Sequence, residues 1–174
     1  MSKLFFVFDV ESLGLHGDGF AVGGGAYFDN GAALWEFRLV CPAGIRGSSE
    51  DRQWVIENVP AMEVSHLSPR KMRDEFWGLW LRAKAQGAVA AAECGWPVEA
   101  KFLARCVADD SSRKWEGPYP LHEIATYMAA AGMDPMAKYE RAASELPVHD
   151  PLADARQSAR LLALALGKLS GGAA

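Results

Sequence analysis

A chain of 174 residues, half of them apolar, is long enough for a single domain whose core needs neither disulfides nor a structural metal. Its formal charge of −4 gives no overall attraction for a phosphate chain, so any nucleic-acid binding would rest on local basic patches or on bound cations. The three cysteines, Cys41, Cys94 and Cys106, are odd in number and lack a paired short spacing, which argues against a disulfide framework or a zinc site and for a reducing, cytoplasmic setting.

The chain opens with Lys3 to Val10, β-branched and aromatic, a pattern for a buried strand with Phe5, Val7 and Asp9 on one face and Phe6, Phe8 and Val10 on the other. The run is too short for a membrane span, and Asp9 and Glu11 interrupt it, which also argues against a signal peptide. After a loop marked by Gly14, Gly17 and Gly19, the stretches Phe20 to Phe28 and Ala33 to Cys41 read as two strands joined by a Phe-Asp-Asn-Gly turn. A short helix is expected over Glu50 to Asn58. A longer one is capped at Ser68-Pro69 and runs to about Gln86, with Met72, Phe76, Leu79 and Trp80 as its apolar stripe.

Ala88 to Ala92, bounded by Gly87 and Gly95, suits a fully buried strand. Pro97 opens a helix that carries Val98, Phe102, Leu103 and Cys106 inward and ends near Asp109, and Leu121 to Ala131 predicts another, stopped by Gly132. The last helix has Asp150 as N-cap, Pro151 in the first helical position and Leu152, Ala155, Ala159, Leu162 and Leu166 at helical spacing until Gly167. One domain over residues 1–169 with a frayed tail over 170–174 follows. Three strands and then alternating helices and a strand predict an α/β fold, a central mixed sheet flanked by helices.

Two short basic clusters, Pro69-Arg70-Lys71-Met72-Arg73 at a helix start and Ser112-Arg113-Lys114-Trp115 in a loop, offer cations and a ring for a nucleic acid, though such clusters on an acidic chain are more often solvated surface. Six tryptophans, among them Trp77 and Trp80 on one helix, fill the core or leave an apolar patch on which a homodimer forms.

The chemistry lies in the acids. Asp9 and Glu11, two apart on a strand, project from one face, where their mutual repulsion is relieved if a divalent cation binds. Ordinary surface acids at a strand end are the plainer reading. His149 precedes a helix cap and Asp154 lies in that helix's first turn, so both can face one pocket, with Asp154 a metal ligand and His149 a proton acceptor. An acid there is also favoured simply by the helix dipole. Glu99, two residues after Pro97, lies in another first turn, and Glu93, at the end of the short strand, competes with it as a further acid.

Taken in order, Phe8-Asp9-Val10-Glu11-Ser12-Leu13-Gly14-Leu15 resembles the first motif of the DEDD exonucleases, and His149-Asp150-Pro151-Leu152-Ala153-Asp154-Ala155-Arg156 resembles the third motif of their DEDDh subclass. Glu99-Ala100-Lys101-Phe102-Leu103 has the spacing of the second motif, with glutamate in place of aspartate, which moves the carboxylate outward by about an ångström. The resemblance runs from Phe5 to about Leu162. It implies an RNase H-like fold and a 3′-to-5′ exonuclease that uses two Mg²⁺ or Mn²⁺ ions held by Asp9, Glu11, Asp154 and Glu99. His149 would be its general base, with Ser12, Leu13 and Leu15 as substrate-binding residues at the terminal nucleotide. The implied partner is the 3′ end of a single-stranded RNA or DNA, and the implied product a nucleoside 5′-monophosphate. RNA is slightly favoured, because nothing in the chain ties it to a polymerase or helicase. A module that binds 3′ ends without cutting is the alternative. An endonuclease of RNA-DNA hybrids is a third reading, disfavoured by the spacing of His149 and Asp154.

Overall fold

The computed structural model describes residues 2–44 and 47–171. The first strand, β1 (Leu4–Ser12), is the middle of a five-stranded sheet in the order β3-β2-β1-β4-β5, flanked by β2 (Gly19–Phe28) and β4 (Val89–Ala92). β2 and β3 (Ala33–Val40) form the expected antiparallel hairpin, closed where Gly31 takes a positive φ, and β2 pairs antiparallel with β1. β4 and the two-residue β5 (His122–Glu123) run parallel to β1, so the sheet is mixed.

The alternation in β1 sorts its side chains as its sequence requires. Phe6, Phe8 and Val10 enter one core with Met72, Phe76, Trp77 and Trp80 of α2 (Pro69–Ala85) and Phe102 and Cys106 of α3 (Val98–Asp109). Phe5 and Val7 enter a second core on the opposite face with Ile124 and Met128 of α4 (Ile124–Ala130) and Ala155, Ala159 and Leu162 of α5 (Pro151–Gly171). Helices thus cover both faces of the sheet. The remaining helix, α1 (Ser49–Asn58), buries none of its residues and is held at its start by a reciprocal cap between Ser48 and Asp51.

Two expectations need correction. The stretch 121–131 is not one helix: His122 and Glu123 pair with Ala91 and Ala92, giving the open edge of β4 a partner before α4 begins. α5 does not stop at Gly167 but continues to Gly171, so the tail expected over 170–174 is helical as far as it is described, and residues 172–174 lie outside the described residues. Trp77 and Trp80 fill the core, the first of the two readings given for them, and the exposed tryptophans are Trp54, Trp96 and Trp115.

The basic clusters are largely spent on structure. Arg73 of α2 holds Asp109 of α3 at 2.6 Å, and Arg113, in a 3₁₀ helix rather than a loop, holds Asp74 at 2.6 Å. Among the described residues no helix is long and apolar enough to cross a membrane.

Candidate metal centre

β4 pairs with β1 only as far as Val7, so Asp9 and Glu11 continue past the carboxyl end of their parallel neighbour. In open α/β sheets this is where ligands bind, because chain turning away there leaves a crevice. Glu93 directly follows β4, and Glu99 and Asp154 lie in the first turns of α3 and α5. The positive ends of both helix dipoles therefore adjoin the acids.

A glycine lets α5 come so close. Gly23 of β2 lies opposite Asp9, and a Cβ placed on it would meet the main chain of Pro151 and Leu152 at 2.3 to 2.7 Å. The bare backbone of Gly23 seats the first turn of α5 on the sheet, which carries Asp154 to the strand bearing Asp9 and Glu11. Asp150 secures the same turn, accepting from the amides of Leu152 and Ala153 through one oxygen and from Arg38 of β3 through the other.

Glu11, His149 and Asp154 come together, each offering a ligand atom within 4.8 Å of the others. The Nδ1 of His149 is 3.8 Å from Glu11 Oε1. His149 adopts a φ of 62° and donates its main-chain N–H to Asp154 Oδ2 at 3.1 Å, so the loop that carries the imidazole is tied to the acid it faces. The Trp54 ring, from α1, makes a T-shaped contact with the imidazole, with centroids 5.0 Å apart. The other Asp154 oxygen accepts from Arg141, a residue that no motif in the sequence marks.

The electrostatics single out this end of the sheet. Burial, followed by the nearby carboxylates of Glu99, Asp154, Glu11 and Glu93, raises the Asp9 pKa well above the ordinary carboxylate value. Burial and then Asp154 and Glu99 push Glu11 up to about 8, and burial pushes Glu99 up to about 7 although the main-chain amides of Glu99 and Val10 oppose it. Asp154 is raised by burial against the pull of Arg141. Four acids crowded together with one arginine are short of positive charge. A set of carboxylate oxygens and one imidazole fits hard divalent cations, which favour oxygen ligands.

Of the acids weighed in the sequence, both Glu99 and Glu93 lie near Asp9, and Glu99 acts on it more strongly. Glu93 also accepts from the Ser158 hydroxyl at 3.3 Å. Ser12 is buried and its hydroxyl donates to the Gly14 carbonyl. Leu13 is packed in the core, whereas Leu15 is 65% exposed beside a cavity. The sequence matches no protein-family model, and no curated protein matches it as a relative. The residues themselves therefore carry the functional argument.

Proposed function

We propose that the acid cluster is the active site of a metal-dependent 3′-to-5′ exonuclease of the DEDDh type, on an RNase H-like fold. One observation carries this reading: two motifs from opposite ends of the chain, Asp9 with Glu11 and His149 with Asp154, meet at one end of the sheet in a cation-poor pocket, with Glu99 beside them. The strand order, with β1 central between an antiparallel hairpin and parallel strands, is compatible with that fold.

Asp9, Glu11, Asp154 and Glu99 would hold two Mg²⁺ or Mn²⁺ ions, which offset the carboxylate charge and let a phosphodiester approach. His149 accepts a proton from the water that attacks the terminal phosphorus. Glu11, 3.8 Å from Nδ1, stabilises the resulting imidazolium. The phosphorus–3′-oxygen bond breaks, the leaving oxygen takes a proton from solvent, and a nucleoside 5′-monophosphate departs from a strand that keeps a free 3′-hydroxyl, after which the imidazolium returns its proton to solvent. Trp54 and the bond from the His149 amide to Asp154 hold the imidazole in place during the transfer.

The test uses 5′-labelled single-stranded RNA and DNA with Mg²⁺, Mn²⁺ or EDTA, and the Asp9→Ala and His149→Ala variants. A metal-dependent ladder shortening from the 3′ end, with RNA cut somewhat faster, is expected from the wild type and from neither variant. Internal fragments would move the assignment to an endonuclease. Binding without cleavage would move it to a module that holds 3′ ends.

A further inference from the structure

Two adjoining cavities lie beside the chain segments that follow the acids on β1 and α3. Leu13 and Leu15 follow Glu11 on one side, and Lys101 and Arg105 of α3 follow Glu99 on the other. They line a cavity of about 580 Å³, which adjoins a second of about 500 Å³ at Asp18 and Arg105; the second extends to Arg70 and Arg73 at the start of α2. Lys101 and Arg105 are one helical turn apart and therefore share a face of α3.

The cations here are held differently from those elsewhere. Arg38, Arg73, Arg113, Arg141, Arg156 and Arg160 each grip a carboxylate at 2.5 to 2.7 Å. Arg105 meets Asp18 at 3.4 Å, with 48% of its side chain exposed. Lys101 and Arg70 donate to the main-chain carbonyls of His16 and Asp109, which satisfy a hydrogen bond without cancelling a charge. Against these three cations stand Asp18 and Asp51, the latter tied into the α1 cap, while Asp109 is already neutralised by Arg73. The Oδ1 of Asp18 that faces Arg105 is buried and accepts no hydrogen bond among the described residues, so charge alone joins this pair.

We infer that these adjoining cavities form a second binding site, a groove for the phosphodiester backbone of a single strand on the 5′ side of the nucleotide being removed. Lys101, Arg105 and Arg70 contact successive phosphates, and Leu15 offers an apolar surface at the mouth. The inference rests on the exonuclease reading for which end lies at the acids. It makes affinity depend on strand length even though the acid cluster handles one nucleotide at a time.

The experiment measures binding of a labelled single-stranded twelve-mer and of a dinucleotide by fluorescence anisotropy, across a salt series with Ca²⁺ present. It compares the wild type, Lys101→Ala/Arg105→Ala, the charge-keeping Lys101→Arg/Arg105→Lys, and Lys168→Ala at the far end of α5. The alanine pair is expected to weaken the twelve-mer on the order of tenfold and to flatten its log–log salt slope by about 1.4, or about 0.7 per lost phosphate contact on a single strand. The dinucleotide should change less than twofold, and the charge-keeping pair should retain wild-type slope. An unchanged slope in the alanine pair, with 3′ cleavage intact in the wild type, overturns the groove and leaves the exonuclease reading standing. A wild type that binds the twelve-mer with the expected salt slope but does not cleave supports the groove and removes the exonuclease. A wild type that binds no single strand overturns both.

Discussion

The acids of this molecule fall into two populations. Along the flanks of the sheet, Glu36 and Glu145 are gripped by Arg156 and Arg160, whose hydrogen bonds hold both carboxyls below the ordinary value, and Asp74 and Asp109 are gripped by Arg113 and Arg73. At the carboxyl end of β1 and β4, buried Glu11 and Glu99 and half-buried Asp9 crowd together with raised pKa values, and the arginine present, Arg141, serves Asp154. The chain therefore compensates buried carboxylates where they serve structure. The exception is concentrated at one place, as a site that trades stability for the ability to take up cations would be.

The sharpest break between the populations comes from removing one charge from each. Asp9→Asn should abolish nuclease activity while stabilising the metal-free protein by about 1–2 kcal/mol, the range typical of relieving a strained functional site. Arg160→Ala should do the reverse, destabilising by about 2 kcal/mol because Glu145 is left buried without its cation; the full cost of breaking a buried pair is tempered by the partial exposure of Arg160. Denaturant melts of both variants, with activity measured in parallel, check the pair of signs. If both variants lose stability alike, the distinction between the populations fails.

Gly23→Ala addresses the packing that brings the site together. A methyl group aimed at the main chain of Pro151 and Leu152 must push the first turn of α5 off the sheet. A displacement near 1 Å there should lower turnover about 100-fold, with a smaller relative effect on melting temperature. Wild-type turnover in this variant would mean that α5 tolerates displacement.

That glycine also marks what could be read in the sequence. The alternation in β1, the hairpin turn and the Asp150-Pro151 cap each reflect local chemistry, and the strands and helix they predict are present. Strand ends and first helical turns project side chains in known directions, which marks the acids at 9, 11 and 154, whereas Glu99 is preferred to Glu93 only through the resemblance of its flanking residues to the second motif. The Gly23-Gly24-Gly25 run inside β2 is a signal of close backbone approach that the reading of 20–28 as a plain strand leaves unused, since glycine weakens a strand unless something must lie against it. Arg141 was not legible: it comes from the connection between α4 and α5, and only the folded chain brings it to Asp154. β5 was also out of reach, because two residues carry no periodicity and their pairing is dictated by the edge of β4.

The two populations should also respond oppositely to pH. Folded-state values of about 8 for Glu11 and about 7 for Glu99 lie above those of the unfolded chain, so the folded protein binds more protons between the two ranges. Their favourable contribution is complete below the unfolded value and is lost as pH rises through 7 to 8. Glu36 and Glu145, with lowered values, contribute above the ordinary carboxylate range and lose that contribution on acidification. Metal-free protein should therefore melt several degrees lower at about pH 8.5 than at about pH 5.5, and Asp9→Asn should reduce that difference. A melting temperature rising across this interval in EDTA would contradict the raised values.

The smallest expected effect separates the two candidate acids. Glu93→Gln should lower activity less than tenfold, whereas Glu99→Gln should cost at least 100-fold, in keeping with the stronger effect of Glu99 on Asp9. Steady-state kinetics of the two variants decide the matter, and the reverse order would assign the second-motif role to Glu93.

The most direct test of the central claim, that these uncompensated acids are built to hold divalent cations, is a thermal-shift titration with Mg²⁺ and Mn²⁺ at about pH 8, comparing the wild type with Asp9→Asn. The account predicts a saturable rise in melting temperature for the wild type and little or none for the variant. An equal response in the two proteins, or none in the wild type, would contradict it.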